Sequence, residues 1–131
     1  MIGLDTNVII RYVVRDDTRQ SKMATELIEH LTEDLQGFLT LVCLTEIVWV
    51  LESAYAYDRQ GVVELLNKLM QIAVLKIERR SVAIAALRIF KDGKADFADC
   101  LIERLSDNAG CERTMTFDRV AARTANMILI R

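Results

Sequence analysis

Apolar residues change their spacing several times along the chain, and each change marks an element. Ile2 to Leu4 is a short strand-like run. Asn7 to about Val14 continues as a helix, and Asp16-Asp17-Thr18 stops that helix and can cap the next. From Arg19 to about Leu31, Met23, Ala24, Leu27, Ile28 and Leu31 share one helical face, with Lys22, Glu26 and Glu29 between them. Gly37 opens a second strand, Phe38-Leu39-Thr40-Leu41-Val42. A helix follows from about Cys43 to Tyr57, and another from Asp58 to Ile72. Val74 to Glu78 alternates as a half-buried edge strand does. Ser81 begins a helix that Gly93 ends, and Ala95 to Ala109 forms another with Gly110 just past it. Thr114 to Phe117 is a weak strand, followed by a turn at Asp118, a short helix through Ala121 and Ala122, and a last apolar run, Met127 to Ile130. Strands alternate with helices throughout. The pattern predicts a three-layer α/β/α domain with a mainly parallel sheet of four to five strands between helices.

With 131 residues, 52% of them apolar, and no proline, the chain fits a single domain, 1–131, with a sizeable core. No repeat, linker or low-complexity segment interrupts it. The formal net charge of -2 excludes a polybasic tail for bulk nucleic-acid or membrane binding. It does not exclude nucleic acid gripped locally around bound cations, which reverse the sign of the field at a site. The N-terminal apolar run is too short and too charged for a signal peptide or membrane span, so a cytoplasmic protein is expected. Cys43, Cys100 and Cys111 are widely spaced and only one histidine, His30, accompanies them, which disfavours zinc. The cysteines are read as reduced and mostly core-filling, His30 as a surface residue, and Trp49 and Tyr55 as core or interface.

The acids are what the packing pattern leaves over. Asp5 is the only charge among the first ten residues and follows the first strand. Buried and unpaired, it would cost several kcal/mol, so it is expected to be hydrogen-bonded, paired with a cation such as Arg11 or Arg15, or bound to a metal. Glu46 is likewise the only charge between Leu39 and Leu51. Asp96 and Asp99 open the helix before the fourth strand, and Asp118 follows that strand. In parallel α/β folds the ligand site lies beyond the carboxyl ends of the strands, where the strand order reverses. If the first and fourth strands are neighbours, these acids converge there. Their mutual repulsion calls for a hard divalent cation, Mg²⁺ or Mn²⁺, and such ions serve phosphodiester chemistry. Plainer readings exist for some of them: Asp96, Asp99 and Glu103 share one stripe that solvent alone can cover, and Asp118 can simply cap a helix.

Leu4-Asp5-Thr6-Asn7-Val8, Thr45-Glu46, Ala95-Asp96-Phe97-Ala98-Asp99-Cys100-Leu101-Ile102 and Thr116-Phe117-Asp118 occur in the order of the acidic motifs of PIN-domain ribonucleases. The chain resembles that family over essentially its whole length, and in particular the VapC-type toxins of bacterial toxin–antitoxin pairs. The resemblance implies Asp5 and Asp99 as principal Mg²⁺ ligands, Glu46 as a ligand directly or through water, and Asp118 as the residue completing the catalytic cluster. It places Thr6, Asn7 and Thr116 where small polar residues orient acids or waters, and Asp96 behind the ligands or as a cap. Cys100 stands where alanine is common, and the last strand is expected to be short. The implied reaction is hydrolysis of an RNA phosphodiester by water deprotonated within the carboxylate cluster, leaving a 3′-hydroxyl and a 5′-phosphate. A homodimer and a VapB-like antitoxin, whose C-terminal segment covers the cleft, are implied as partners. Arg11, Arg15, Lys91, Lys94 and Arg119 flank the motifs and are candidates for RNA phosphates, or ordinary surface charges. Two alternatives differ in class. One is a catalytically silent PIN-like binding module, against which the presence of every acidic position argues. The other is a small Mg²⁺-dependent phosphatase of the haloacid-dehalogenase type, which needs Asp-x-Asp where this chain has Asp5-Thr6-Asn7. A dinucleotide site is excluded, since no Gly-x-Gly-x-x-Gly occurs.

Overall fold

The computed structural model describes residues 1–131 as five short strands alternating with seven helices. In chain order these are β1 (Ile2–Gly3), α1 (Thr6–Val14), α2 (Thr18–Glu29), β2 (Gly37–Leu39), α3 (Leu41–Ala54), α4 (Arg59–Met70), β3 (Leu75–Ile77), α5 (Arg80–Asp92), α6 (Phe97–Asn108), β4 (Met115–Thr116), α7 (Arg119–Thr124) and β5 (Ile128–Leu129). Every strand pair is parallel. Ile2 lies opposite Gly37, Gly37 opposite Leu75, and Met115 opposite Ile128.

The α/β expectation holds, but the single sheet of four to five strands does not. The strands divide into a three-stranded sheet, β1-β2-β3, and a two-stranded one, β4-β5, with no ladder joining β1 to β4. β1 forms its ladder with β2 alone, and β4 with β5 alone. β3 sits at an edge, with Leu75 and Ile77 inside and Lys76 outside, as its alternation predicts.

A second difference lies after β2, where the expected strand to Val42 stops at Leu39. Thr40 ends it by capping α3: its Oγ1 accepts from the Cys43 amide at 3.0 Å, while Glu78 Oε1 accepts from the Leu41 amide at 2.8 Å. Leu41 and Val42 therefore form the first turn of α3. Aspartates do the same elsewhere, since Asp5, Asp17, Asp58, Asp96 and Asp118 each cap the helix that follows with a side-chain oxygen. At the end of α6, the Gly110 amide donates to Asp107 O and the Cys111 amide to Ser106 O, both at 3.0 Å, with Gly110 left-handed at φ 94°. Gly93 ends α5 for a different reason. Its φ is -111°, open to any residue, but a Cβ there would lie 3.0 Å from both Ile89 O and Thr124 Cβ.

The core joins the helices to β2 and β3 through the fully buried Leu39, Leu44, Ile47, Leu51, Leu66, Phe90 and Phe97. Phe90 and Phe97 meet edge to face at 5.8 Å and lock α5 onto α6. Cys43 and Cys100 are buried and Cys111 is exposed, so two of the three cysteines fill core. Trp49 does not belong to that core, being 68% exposed, and Tyr55 is half-buried. His30 lies on the surface. No helix is long and apolar enough to cross a membrane.

Candidate active site

The end of β1 is anchored by the Leu4 amide, which donates to Phe38 O at 3.0 Å. The chain turns there into α1, and Asp5 caps it by accepting from the Thr6 amide through Oδ1 at 2.8 Å. Thr6 is buried, and its hydroxyl donates to Glu46 Oε1 at 3.2 Å, tying α1 to α3. Beneath them the Cys43 thiol lies 3.6 Å from the Thr6 hydroxyl and 3.7 Å from Leu4 O. Burial pushes the Cys43 thiol up; the Thr6 hydrogen bond opposes this, and the charges of Asp5 and Glu46 add to it. Asp5 and Glu46 both face solvent, and neither is in an ion pair. Arg11, one of the cations proposed for Asp5, is held by Asp16 at 2.8 Å and Gln20 at 2.7 Å.

A second group of carboxylates gathers at the N-termini of α6 and α7. Asp96 Oδ1 accepts from the Asp99 amide at 2.8 Å. Asp118 Oδ1 accepts from the Val120 and Ala121 amides at 2.8 and 3.1 Å, and the Asp118 amide donates to Thr116 Oγ1 at 2.9 Å. Partial burial, then neighbouring Asp96, then Asp118, hold the Asp99 carboxyl above the usual range. Glu103, on the same stripe, is not solvated: it is buried, and Arg104 grips it with two hydrogen bonds at 2.6 and 2.9 Å. Burial pushes the Cys100 thiol up to about 11, so it stays protonated at neutral pH and packs where an alanine would.

Two residues that position this group carry no signature in sequence. Arg59 on α4 donates to Phe90 O at 2.8 Å, Ala95 O at 2.9 Å and Lys94 O at 3.1 Å, with its guanidinium 4.0 Å above the Phe90 ring. From the other side, Thr124 Oγ1 accepts from the Lys94 and Ala95 amides at 3.3 and 3.1 Å and donates to Val120 O at 2.9 Å. The loop leading into Asp96 is thus clamped between α4 and α7. The acceptors are all backbone carbonyls and the donors backbone amides, so no pairing of side-chain types could have disclosed either residue.

The predicted residues therefore form two sets, Asp5-Thr6-Glu46 and Asp96-Asp99-Asp118 with Thr116, and α3 packs against α6 between them. As they stand, no three His, Cys, Asp or Glu side chains are gathered closely enough to hold a metal ion. The donor chemistry nonetheless suits a hard divalent cation. The site is all carboxylate oxygen, each capping aspartate commits Oδ1 to backbone and keeps Oδ2, and no cation of the protein pairs with these acids. Asn7 is exposed beside a cavity between α1 and α2. Arg15 folds back over Tyr12, 6.0 Å from its ring, while Lys91, Lys94 and Arg119 are exposed.

Comparison with known proteins gives the family of the fold. The VapC ribonuclease of Aquifex aeolicus (strain VF5) is similar at 22% identity over 121 residues, covering 88% of this chain and 86% of the relative. The family model described as the PIN domain matches residues 2–127. By that match, over a parallel α/β fold with acids at its strand ends, the chain belongs to the PIN domain family.

Proposed function

We propose that this chain is a divalent-metal-dependent endoribonuclease, the toxin of a toxin–antitoxin pair acting in the cytoplasm. Membership of the PIN domain family and the similarity to a protein named VapC ribonuclease support the nuclease class. The observation that carries the reading is the cluster of Asp96, Asp99 and Asp118, which no cation of the protein pairs with and in which partial burial, and then the charges of Asp96 and Asp118, raise Asp99. Like charges held together this way favour an added cation.

Asp5, Glu46, Asp99 and Asp118 would hold Mg²⁺ or Mn²⁺. When bound, the ion supplies positive charge that acidifies water and offsets charge on the leaving oxygen of an RNA phosphodiester. The protein's own part is positional. Thr6 orients Glu46 through its hydroxyl, Thr116 fixes the turn that presents Asp118, and Asp96 caps the helix that carries Asp99. A carboxylate oxygen of the cluster takes the proton of the attacking water. A homodimer, and a VapB-like antitoxin whose C-terminal segment covers the acidic face, complete the proposal.

Purified protein incubated with single-stranded and structured RNAs tests it. Cleavage is expected in Mg²⁺, leaving 3′-hydroxyl and 5′-phosphate ends, lost in chelator and restored by Mg²⁺ or Mn²⁺. Cleavage that persists unchanged in chelator contradicts the metal mechanism.

A further inference from the structure

An acidic site repels the polyanion it is to cut, so attraction for RNA has to come from outside it. Arg119 and Arg123 stand four residues apart on α7 and so share one face, about 6 Å apart along the axis. Arg131 follows β5. All three line one open cleft of about 430 Å³ between α7 and β5, with Met127, Ile128 and Leu129 in its wall. No aspartate or glutamate lines that cleft, and none of the three arginines is in an ion pair with a side chain. Asp118 immediately precedes Arg119, so the cleft begins one residue from the acidic cluster.

We propose that this cleft is a phosphate track for single-stranded RNA, resting on the nuclease reading above. Arg119, Arg123 and Arg131 hold backbone phosphates beyond the nucleotide being cut, and the apolar wall lies against a base or ribose. Guanidinium forks match phosphate oxygens in two-point hydrogen bonds as they match carboxylates, so the choice of RNA over an acidic peptide rests on two other features. Flat bases cover apolar surface that a chain of glutamates does not. Arg119, in the wall of the cleft, also follows Asp118 of the acidic cluster directly in the chain.

The test is fluorescence anisotropy of labelled single-stranded RNAs of several sequences, against salt, in Mg²⁺. Protein carrying Asp99→Asn is compared with the same protein carrying Arg123→Ala/Arg131→Ala or Arg123→Lys/Arg131→Lys. Gels verify that the RNA stays intact, and circular dichroism that the variants fold. The alanine pair is expected to weaken binding about tenfold for every sequence and to lower the log–log salt slope by about 1.4, from about 0.7 per phosphate; the lysine pair keeps the slope. Unchanged affinity and slope in the alanine pair, beside chelator-sensitive cleavage by the native protein, overturns the track alone. Absence of both RNA binding and cleavage in the native protein overturns the nuclease reading together with the track. A polyglutamate peptide that binds through the same arginines and displaces the RNA at equal charge assigns the cleft to a protein partner instead.

Discussion

At the scale of single residues, the acids that stand out in sequence also stand apart in the structure, though for a different reason. Asp5 and Glu46 are solitary charges in apolar sequence, which suggests burial; both face solvent, Asp5 at the turn after β1 and Glu46 on the outer face of α3. Asp96 and Asp118 are helix caps, the plain reading of an aspartate before a helix, and each still keeps one oxygen free. Capping and ligand roles are compatible in one side chain. A residue-scale prediction concerns Asp16, whose partners the acidic motifs do not include. The Tyr55 hydroxyl donates to Asp16 Oδ2 at 2.6 Å, and this hydrogen bond is the largest influence holding the carboxyl below its ordinary value of 3.8, with Arg11 contributing. An acid lowered in the folded state adds stability above its unfolded value and loses it as pH falls through the folded one. In Tyr55→Phe, Asp16 is expected to titrate closer to 3.8, narrowing that acid-sensitive window. Carboxyl NMR titration measures it, and an unmoved Asp16 would mean that its backbone hydrogen bond and Arg11, not Tyr55, set the value.

At the scale of elements, helix and strand order follow from periodicity and capping residues, and most boundaries fall within a few positions. The exceptions have local causes. Thr40 begins α3 inside an apolar run that reads as strand, and Gly93 ends α5 through a close approach to Thr124 rather than a left-handed turn. The clamp made by Arg59 and Thr124 was invisible because it consists of side chains on backbone groups of a loop. Its consequence is testable. Thr124→Val keeps the shape but removes the acceptor for the Lys94 and Ala95 amides, and is expected to cost about 1–3 kcal/mol in chemical denaturation. Because Asp96 follows Ala95 directly, RNA cleavage should fall further than the lost stability explains. Unchanged stability and activity together would show that α7 does not position the loop.

For the whole molecule, the alternation of strands and helices gives the fold class, but not how the short strands share their hydrogen bonds. β1 pairs with β2 and β4 with β5 but not with each other, so the acids stand as two sets, carried by helices of which α3 and α6 are in contact, rather than converging at the end of one continuous sheet. The molecule carries a net charge of -2, with its unpaired site acids in two sets and three unpaired arginines in a separate cleft, a division that the proposed roles of cation and polyanion use. The central claim is that the acids act together in cutting RNA. Single-turnover cleavage of one defined RNA in Mg²⁺ by the native protein, Asp5→Asn and Asp99→Asn, purified identically, tests it most directly. Each substitution is expected to lower the rate by about 10²–10⁴-fold while the thermal midpoint is maintained or rises, since a repelling charge is removed. Equal rates in all three proteins would assign the cleavage to a contaminating nuclease and contradict the account.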